Sequence, residues 1–478
     1  MPQFWRAKGR VSTLAPSALH EKPTPRVSSL RQGIAMAIQE KSIPHIRRAG
    51  FRLSSVIGCI SMMLVCCAFS LAQTLTVLHQ FNGGPGDGYN PFAPVVVSQN
   101  GVLYGTTFYG GNSQDCVVGC GEVYQVAPPA EPGGAWNYSA IYEFTGGSDG
   151  CCVYSSLTLD SKGRLYGANN SLFQLAPSTS AFWKYNDLYD FTNSIYPSTP
   201  LVIDSAGALY GVSTNGGLQN CGGGAYFCGV VLQFVPAQNG PWTENVLYQF
   251  TGGGDGAFPA SIVLDSTTGT IYGIASGGGI MSPSCTYSYG CGTVFKLAPT
   301  PGGTWKYTVL YSFTGVHDSS PYAGLVRDSS GNLYGLAIRG QYGTEVFELT
   351  PRKNGAWTEK LLHGFSGHDI PTEYCGYAPS YLTLGANGVL FGAIFGDIDL
   401  YFGALFQLTP PADGKGPWAY ITIWDFNESG PDINPNGVVQ GADGALYGTL
   451  NGGDSDGGSV FQLQLPSQAP WPPSDFCY

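Results

Sequence analysis

The sequence predicts an all-β fold, a seven-bladed β-propeller of four-stranded antiparallel blades whose ring is closed by the N-terminal strand. Three observations carry the prediction. One set of motifs recurs seven times, each recurrence divides into four alternating segments, and the first and last recurrences are incomplete in complementary ways. Composition agrees. Only 11% of the 478 residues are charged, 13% are aromatic and 69 are glycine, which suits short strands joined by tight turns and argues against a helical bundle, a coiled coil or disorder.

A Leu-Tyr-Gly-like triplet centres on Tyr104, Tyr166, Tyr210, Tyr272, Tyr334, Phe391 and Tyr447, at intervals of 44 to 62 residues. An apolar-aromatic-x-apolar signature follows each, starting at Val123, Leu172, Val231, Val294, Val346, Leu405 and Val460. A third signature, of the LYxF type, ends at Phe81, Phe144, Phe191, Phe250, Phe313, Phe365 and Phe426. Six of those seven follow a tryptophan: Trp136, Trp183, Trp242, Trp305, Trp357 and Trp418. A short apolar run, such as Leu201-Val202-Ile203, precedes each triplet. These four segments read as strands A (the short run), B (the triplet), C and D (the Trp-led segment) of an antiparallel meander.

One such sheet has two apolar faces and cannot bury them alone. Stacking seven of them radially covers each face with a neighbour. The ends of the chain fit a ring. Thr74 to Phe81 is a D strand with no A, B and C before it, and Val460 to Leu463 is a C strand with no D after it. Seven of each type exist only if the first D strand completes the last blade.

The net charge of −11 hides an asymmetry. Residues 1–72 hold 10 Lys and Arg against 2 Asp and Glu, which leaves −19 on residues 73–478. A body that acidic repels phosphate backbones, so nucleic acid is not an expected partner. Arg47, Arg48 and Arg52 precede an apolar run from Val56 to Leu71 that ends in Ser70-Leu71-Ala72. Basic residues, a short apolar core and small residues at −3 and −1 predict a secretory signal cleaved after Ala72. The run is shorter than the roughly 20 residues of a spanning helix. Met36 as the start would give a signal of ordinary length. The expected division is a targeting segment over 1–72 and a single propeller over 73–478, exported to the periplasm or cell surface.

With these motifs in view, the chain resembles the secreted tandem-repeat proteins described by the GloVer repeat, whose pattern is close to DxxGxLYGTTxxGG…GTVFKLTPxxGGxWxxxVLYSFTGGxDGxxP. Asp328-Ser329-Ser330-Gly331-Asn332-Leu333-Tyr334-Gly335 matches its first half. Gly292-Thr293-Val294-Phe295-Lys296-Leu297-Ala298-Pro299 and Trp305 to Gly315 match the second. The resemblance runs from Thr74 to about Leu465. It implies exported proteins, often surface-attached, without an established activity. Residues 466–478 carry no apolar tail or basic stop of the kind an anchor would use.

The recurring Asp160, Asp204, Asp265 and Asp328 lie between strands A and B, where an Asp capping a turn that ends in a positive-φ Gly is hairpin chemistry. The Trp residues read as blade-packing anchors, with sugar stacking as the rival role. Function is expected on the face made by the B–C and D–A loops. The B–C loops vary most, with 19, 6, 21, 22, 12, 14 and 13 residues from triplet aromatic to strand C. Cys116 and Cys120, Cys221 and Cys228, and Cys285 and Cys291 fall in the three longest of them and are expected to form local disulfides. Cys151, Cys152, Cys375 and Cys477 are left without a pairing that spacing can decide.

The D–A loops carry Asp87, Asp149, Asp255, Asp318, Asp369 and Asp432, with His317 and His368 beside two of them. These are the candidate ligand- or cation-binding residues. Carboxylates from several loops suit Ca²⁺ or another hard cation, and the alternative is that each Asp caps its own Gly-rich turn. No HExxH, GxSxG or P-loop is present, and only four His and four Arg remain after residue 72. No catalytic residue is assigned. The expected function is a non-enzymatic exported propeller binding a polysaccharide or a surface protein. The alternatives are a carbohydrate-active hydrolase or lyase using loop carboxylates, and a structural envelope protein.

Overall fold

The computed structural model describes residues 73–466 apart from 154, 180–181, 192–194, 198, 222–225, 238–239, 286–288, 316–318, 340–342, 366–378, 395–402, 427–432 and 453–456. These residues form seven four-stranded antiparallel sheets, each holding one copy of the motif set. Blade 4 is representative, with strands Ala257–Asp265, Thr270–Gly277, Thr293–Pro299 and Trp305–Ser312 paired in that order. Blade 7 takes Ile433–Gln440, Leu446–Asn451 and Ser459–Gln464 from the end of the chain and Thr74–Gln80 from its beginning. The register runs from Thr74 opposite Gln464 to Gln80 opposite Ser459, so the predicted ring closure is present.

The burial of each strand follows its place in the blade. Strand B of blade 3, Leu209–Ser213, is buried at all five positions because neighbouring sheets cover both its faces. The outer strand Thr243–Gln249 of the same blade holds only exposed and half-buried residues. The A strands are innermost: residues in or just before the A strand of all seven blades, among them Pro94, Ser156, Pro200, Ser261, Leu325, Tyr381 and Asn436, line one central cavity of about 500 Å³.

Contacts between blades explain why the motifs recur. The indole of each D-strand Trp lies against the triplet Tyr of the preceding blade. The pairs are Trp136–Tyr447, Trp183–Tyr104, Trp242–Tyr166, Trp305–Tyr210, Trp357–Tyr272 and Trp418–Tyr334, with centroids 5.5 to 6.2 Å apart. All are edge-on or tilted, the geometry in which the positive ring edge meets a negative face. The Gly that opens strand C makes the second contact. Gly292 has φ of 89°, and a Cβ there would lie 2.5 Å from Cδ of Pro321 in the next blade. Gly229 meets Pro259 in the same way. The Gly before strand C and the Pro that opens the next strand A are therefore one packing unit. The signature Phe closes the blade from outside: Phe313 N–H donates to Gly292 O at 3.1 Å, and Phe81 N–H donates to Gly458 O at 2.9 Å across the ring closure.

The A–B turns bear out the hairpin reading. Asp204 Oδ1 accepts from the backbone N–H of Ala206 and Ala208, and its Oδ2 accepts from the Tyr210 hydroxyl at 2.9 Å. Tyr166, Tyr334 and Tyr447 donate to Asp160, Asp328 and Asp443 in the same manner. In blade 7 a Gly441 stands at the usual Asp position, and Asp443 supplies the carboxylate from two residues later.

Trp305 is half-buried against a core that includes Tyr210, Ile271 and Leu297. Replacing it with Ala should lower stability by about 3 kcal/mol in a denaturant titration. An unchanged midpoint would remove Trp305 from the packing scaffold.

Candidate functional site

The B–C and D–A loops meet on one face. Cys116–Cys120, Cys221–Cys228 and Cys285–Cys291 are disulfides with Cα separations of 5.3, 5.2 and 4.8 Å, as their spacing predicts. The bridges bear on the D–A turns. Gly252, at φ of 76°, has the Cys221 and Cys228 sulfurs where a Cβ would point. Gly146 lies equally close to the Cys116–Cys120 bridge. A stapled loop thus rests on a turn that no side chain could occupy. Among the described residues Cys151 and Cys152 are free, and burial pushes the Cys152 thiol up to about 12, far from the thiolate that reactive cysteines need. Cys375 and Cys477 lie outside the described residues.

Asp87, Asp149 and Asp255 occupy equivalent turns. Asp255 Oδ2 accepts from Thr251 N–H and the Tyr248 hydroxyl, both at 2.9 Å, and its Oδ1 accepts from Thr251 Oγ1. Asp149 repeats the set with Thr145 and Tyr142. Asp87 takes Asn82 N–H at 2.9 Å and Nδ2 at 3.3 Å on Oδ2, and His79 Nε2 at 2.9 Å on Oδ1. The structure does not bring these three carboxylates together, and none of them lines the central cavity. No group of three or more His, Cys, Asp or Glu converges among the described residues. Asp318, Asp369, Asp432, His317 and His368 lie outside them.

A concave feature of this face stands at blade 1. Gly88–Tyr89 of the D–A loop pairs with Tyr109–Gly110 of the B–C loop, placing Tyr89 opposite Tyr109. Beside this ribbon lies a groove of about 620 Å³ lined by Asn82, Pro85, Tyr89, Tyr109, Asn112 and Gln114, with Val117 and Val118 at its rim. Val117 is fully exposed. Two carboxylates hold the groove's asparagines. Asp87 binds Asn82 as described, and Glu143 accepts from Asn112 N–H at 3.1 Å and from its Nδ2 at 2.7 and 3.0 Å. The Asn112 amide spends its N–H groups on Glu143, the Asn82 amide divides its own between Asp87 and the Gln80 carbonyl at 3.2 Å, and each leaves its oxygen as an acceptor. Burial pushes the Asp87 carboxyl up, but the His79 and Asn82 hydrogen bonds outweigh it and hold it below the usual range.

Beneath the ribbon Glu122 is wholly buried, and the Tyr138 hydroxyl donates to it. Tyr138 in turn stacks on His79 at 3.7 Å. Burial first, then the charges of Asp87 and Glu143, push Glu122 up to about 8, against the Tyr138 and Gly88 hydrogen bonds. It is therefore largely uncharged at neutral pH. Sequence reading missed Glu122, although it stands just before the strand C signature where Ser171, Thr293 and Ser459 stand in other blades. Tyr89, Tyr109 and Asn112 carried no such signal, because two loops with unrelated sequences bring them together beside Asn82 and the strand-end Glu143.

The central cavity has a different chemistry. Its walls include Ser156, Thr199, Ser261, Tyr381 and Asn436, and Ser156 Oγ donates to Pro94 O at 3.1 Å.

Glu122 makes stability depend on pH. Its folded value of about 8 lies above the ordinary 4.5, so the folded state keeps a proton that the unfolded chain releases. That contribution is complete below about pH 4.5 and is lost as pH rises through about 8, on the order of a few kcal/mol. Glu122→Gln keeps the site neutral, so its Tm should fall less between pH 5 and 8.5 than that of the parent. Parallel profiles would show that Glu122 is not the buried acid described.

The chain matches the Gloeobacter/Verrucomicrobia repeat over residues 67–282, 171–335 and 282–470. No curated protein matches it by sequence. Among solved structures it is similar to an ancestral GH74 enzyme at 11% identity and a TM-score of 0.51, over 80% of this chain and 49% of that one, which is a likeness of fold. A PQQ-bound aldose sugar dehydrogenase from Streptomyces coelicolor aligns at 11% identity and a TM-score of 0.40, over 64% and 92% of the two chains. A gluconolactonase from Xanthomonas campestris aligns at 12% and 0.36, over 64% and 83%. With the repeat matched along most of its length and each copy forming a blade, the chain belongs to the Gloeobacter/Verrucomicrobia repeat family.

Proposed function

We propose that this protein is an exported, non-enzymatic propeller that binds an extracellular polysaccharide in the blade 1 groove of its loop face. The observation that carries the reading is the pairing of Tyr89 and Tyr109 with two asparagines whose amides are held by Asp87 and Glu143. Neutral sugars are bound by aromatic surface and by fixed hydrogen-bonding groups, and fixing them beforehand lowers the cost of ordering on binding. The groove lining contains amides, hydroxyls, aromatic rings and apolar side chains but no carboxylate. A hydrolase using two carboxyl groups needs both open to the scissile bond at a set separation. The acids next to this groove, Asp87 and Glu143, are engaged with asparagines.

Export is supported by the signal-like run over Val56–Ala72 and by three disulfides, which persist in oxidising compartments. No helix among the described residues is long and apolar enough to cross a membrane.

The test is to pass the chain without residues 1–72 over immobilised neutral, acidic and amino polysaccharides, with Ca²⁺ and then EDTA, and to measure retained protein and released saccharide by mass spectrometry. The expected result is retention without fragments, weakened about tenfold or more in Tyr109→Ala, with an unchanged Tm. Tenfold corresponds to about 1.4 kcal/mol. Loss of retention in EDTA would return the Asp-bearing loops to the role of cation ligands. Released fragments would make the protein a hydrolase or lyase, and no retention on any polysaccharide would favour a surface protein as the partner.

A further inference from the structure

Six of the seven blade junctions are filled by a D-strand Trp lying on the triplet aromatic of the preceding blade. The seventh, between blades 6 and 7, is different. Its D strand is Thr74–Gln80, which contains no Trp. Where the indole would lie there is a cavity of about 730 Å³ lined by Phe391, Val389, Pro410, Pro411, Leu465 and Thr74. Phe391 is the triplet aromatic of blade 6, the residue on which a blade 7 Trp would pack.

The chain has a Trp in the right place. Trp471 lies eleven residues after Val460, the first residue of the blade 7 strand C signature. The same spacing separates Leu172 from Trp183, Val231 from Trp242, Val294 from Trp305 and Val346 from Trp357. Trp471 and Trp242 are also both preceded by Pro. Pro466, the last described residue, lines the cavity. The five residues from there to Trp471 reach at most about 17 Å when extended, enough to return across the junction.

We propose that the C-terminal segment 467–471 docks in this cavity and seats Trp471 on Phe391. Blade 7 is then completed from both ends of the chain: its D strand comes from the N-terminal side and its junction indole from the C-terminal side. Because Thr74 and Thr76 form part of the cavity wall, the docked segment also covers the start of the closing strand. The predicted cleavage after Ala72 would leave only Gln73 ahead of that strand. The repeat therefore runs to Trp471, and what replaces its own D strand is the segment that closes the ring.

The test uses the chain without residues 1–72 and the variants Trp471→Ala, Trp471→Phe, Phe391→Ala and the double alanine. Subtracting the Trp471→Phe emission spectrum from that of the parent should leave a blue-shifted indole contribution. Trp471→Ala should lower Tm by several degrees, Trp471→Phe by less, and the double alanine no further than the larger single loss. Free indole should raise the Tm of Trp471→Ala and leave the parent unchanged. A difference spectrum matching Trp in water, additive losses, or stabilisation of the parent by indole would each overturn the proposal, the last by showing that the cavity is open to another occupant.

Discussion

The contact on which this molecule depends is the indole of one blade lying on the triplet aromatic of the blade before it. A four-stranded sheet of this size has apolar residues on both faces and gains little by itself. Six Trp–Tyr contacts, together with the Gly–Pro contacts typified by Gly292 and Pro321, turn each face into an interface with its neighbour. The repeat pattern records these junctions more than it records the blades. Its Gly, its Pro and its Trp each touch a different blade from the one in which they are found.

That is why the fold was so legible in the sequence. Strand type, blade number and closure by Thr74–Gln80 follow from residues that recur because a geometric contact recurs. The disulfides were legible too, since a sequence separation of four to seven positions leaves two cysteines few other partners. The site was not. Asp87, Asp149 and Asp255 are open in the sequence to two roles, cation ligand and turn cap, and in the structure each one closes its own turn onto a Thr or an Asn. Repetition points to scaffold, and the groove at blade 1 sets residues at repeated positions, Asn82 and its partner Asp87, beside loop residues that do not repeat, Tyr89, Tyr109 and Asn112. Asn112 and Glu143 are 31 residues apart, and nothing in either local sequence announces the other.

The same logic separates the two faces of the ring. The A–B and C–D face is uniform because its turns are bound to the blade junctions, as the Tyr210–Asp204 bond shows. The opposite face is free of that duty, and its longest loops are stapled by disulfides so that they hold a shape without a core. At blade 1 this produces a groove whose polar groups are pre-set by Asp87 and Glu143, above a buried acid that stays neutral at physiological pH. The two flanking carboxylates disfavour an anionic ligand, and the largely uncharged Glu122 adds little further charge beneath them.

Hydrogen exchange of the chain without residues 1–72, with and without oligosaccharides cut from a polysaccharide that retains it, tests the central claim most directly. Protection confined to residues 82–89 and 109–119 is the predicted result. Protection on the A–B and C–D face, or along the central cavity at Ser156 and Asn436, would contradict it and move the binding site to another part of the ring.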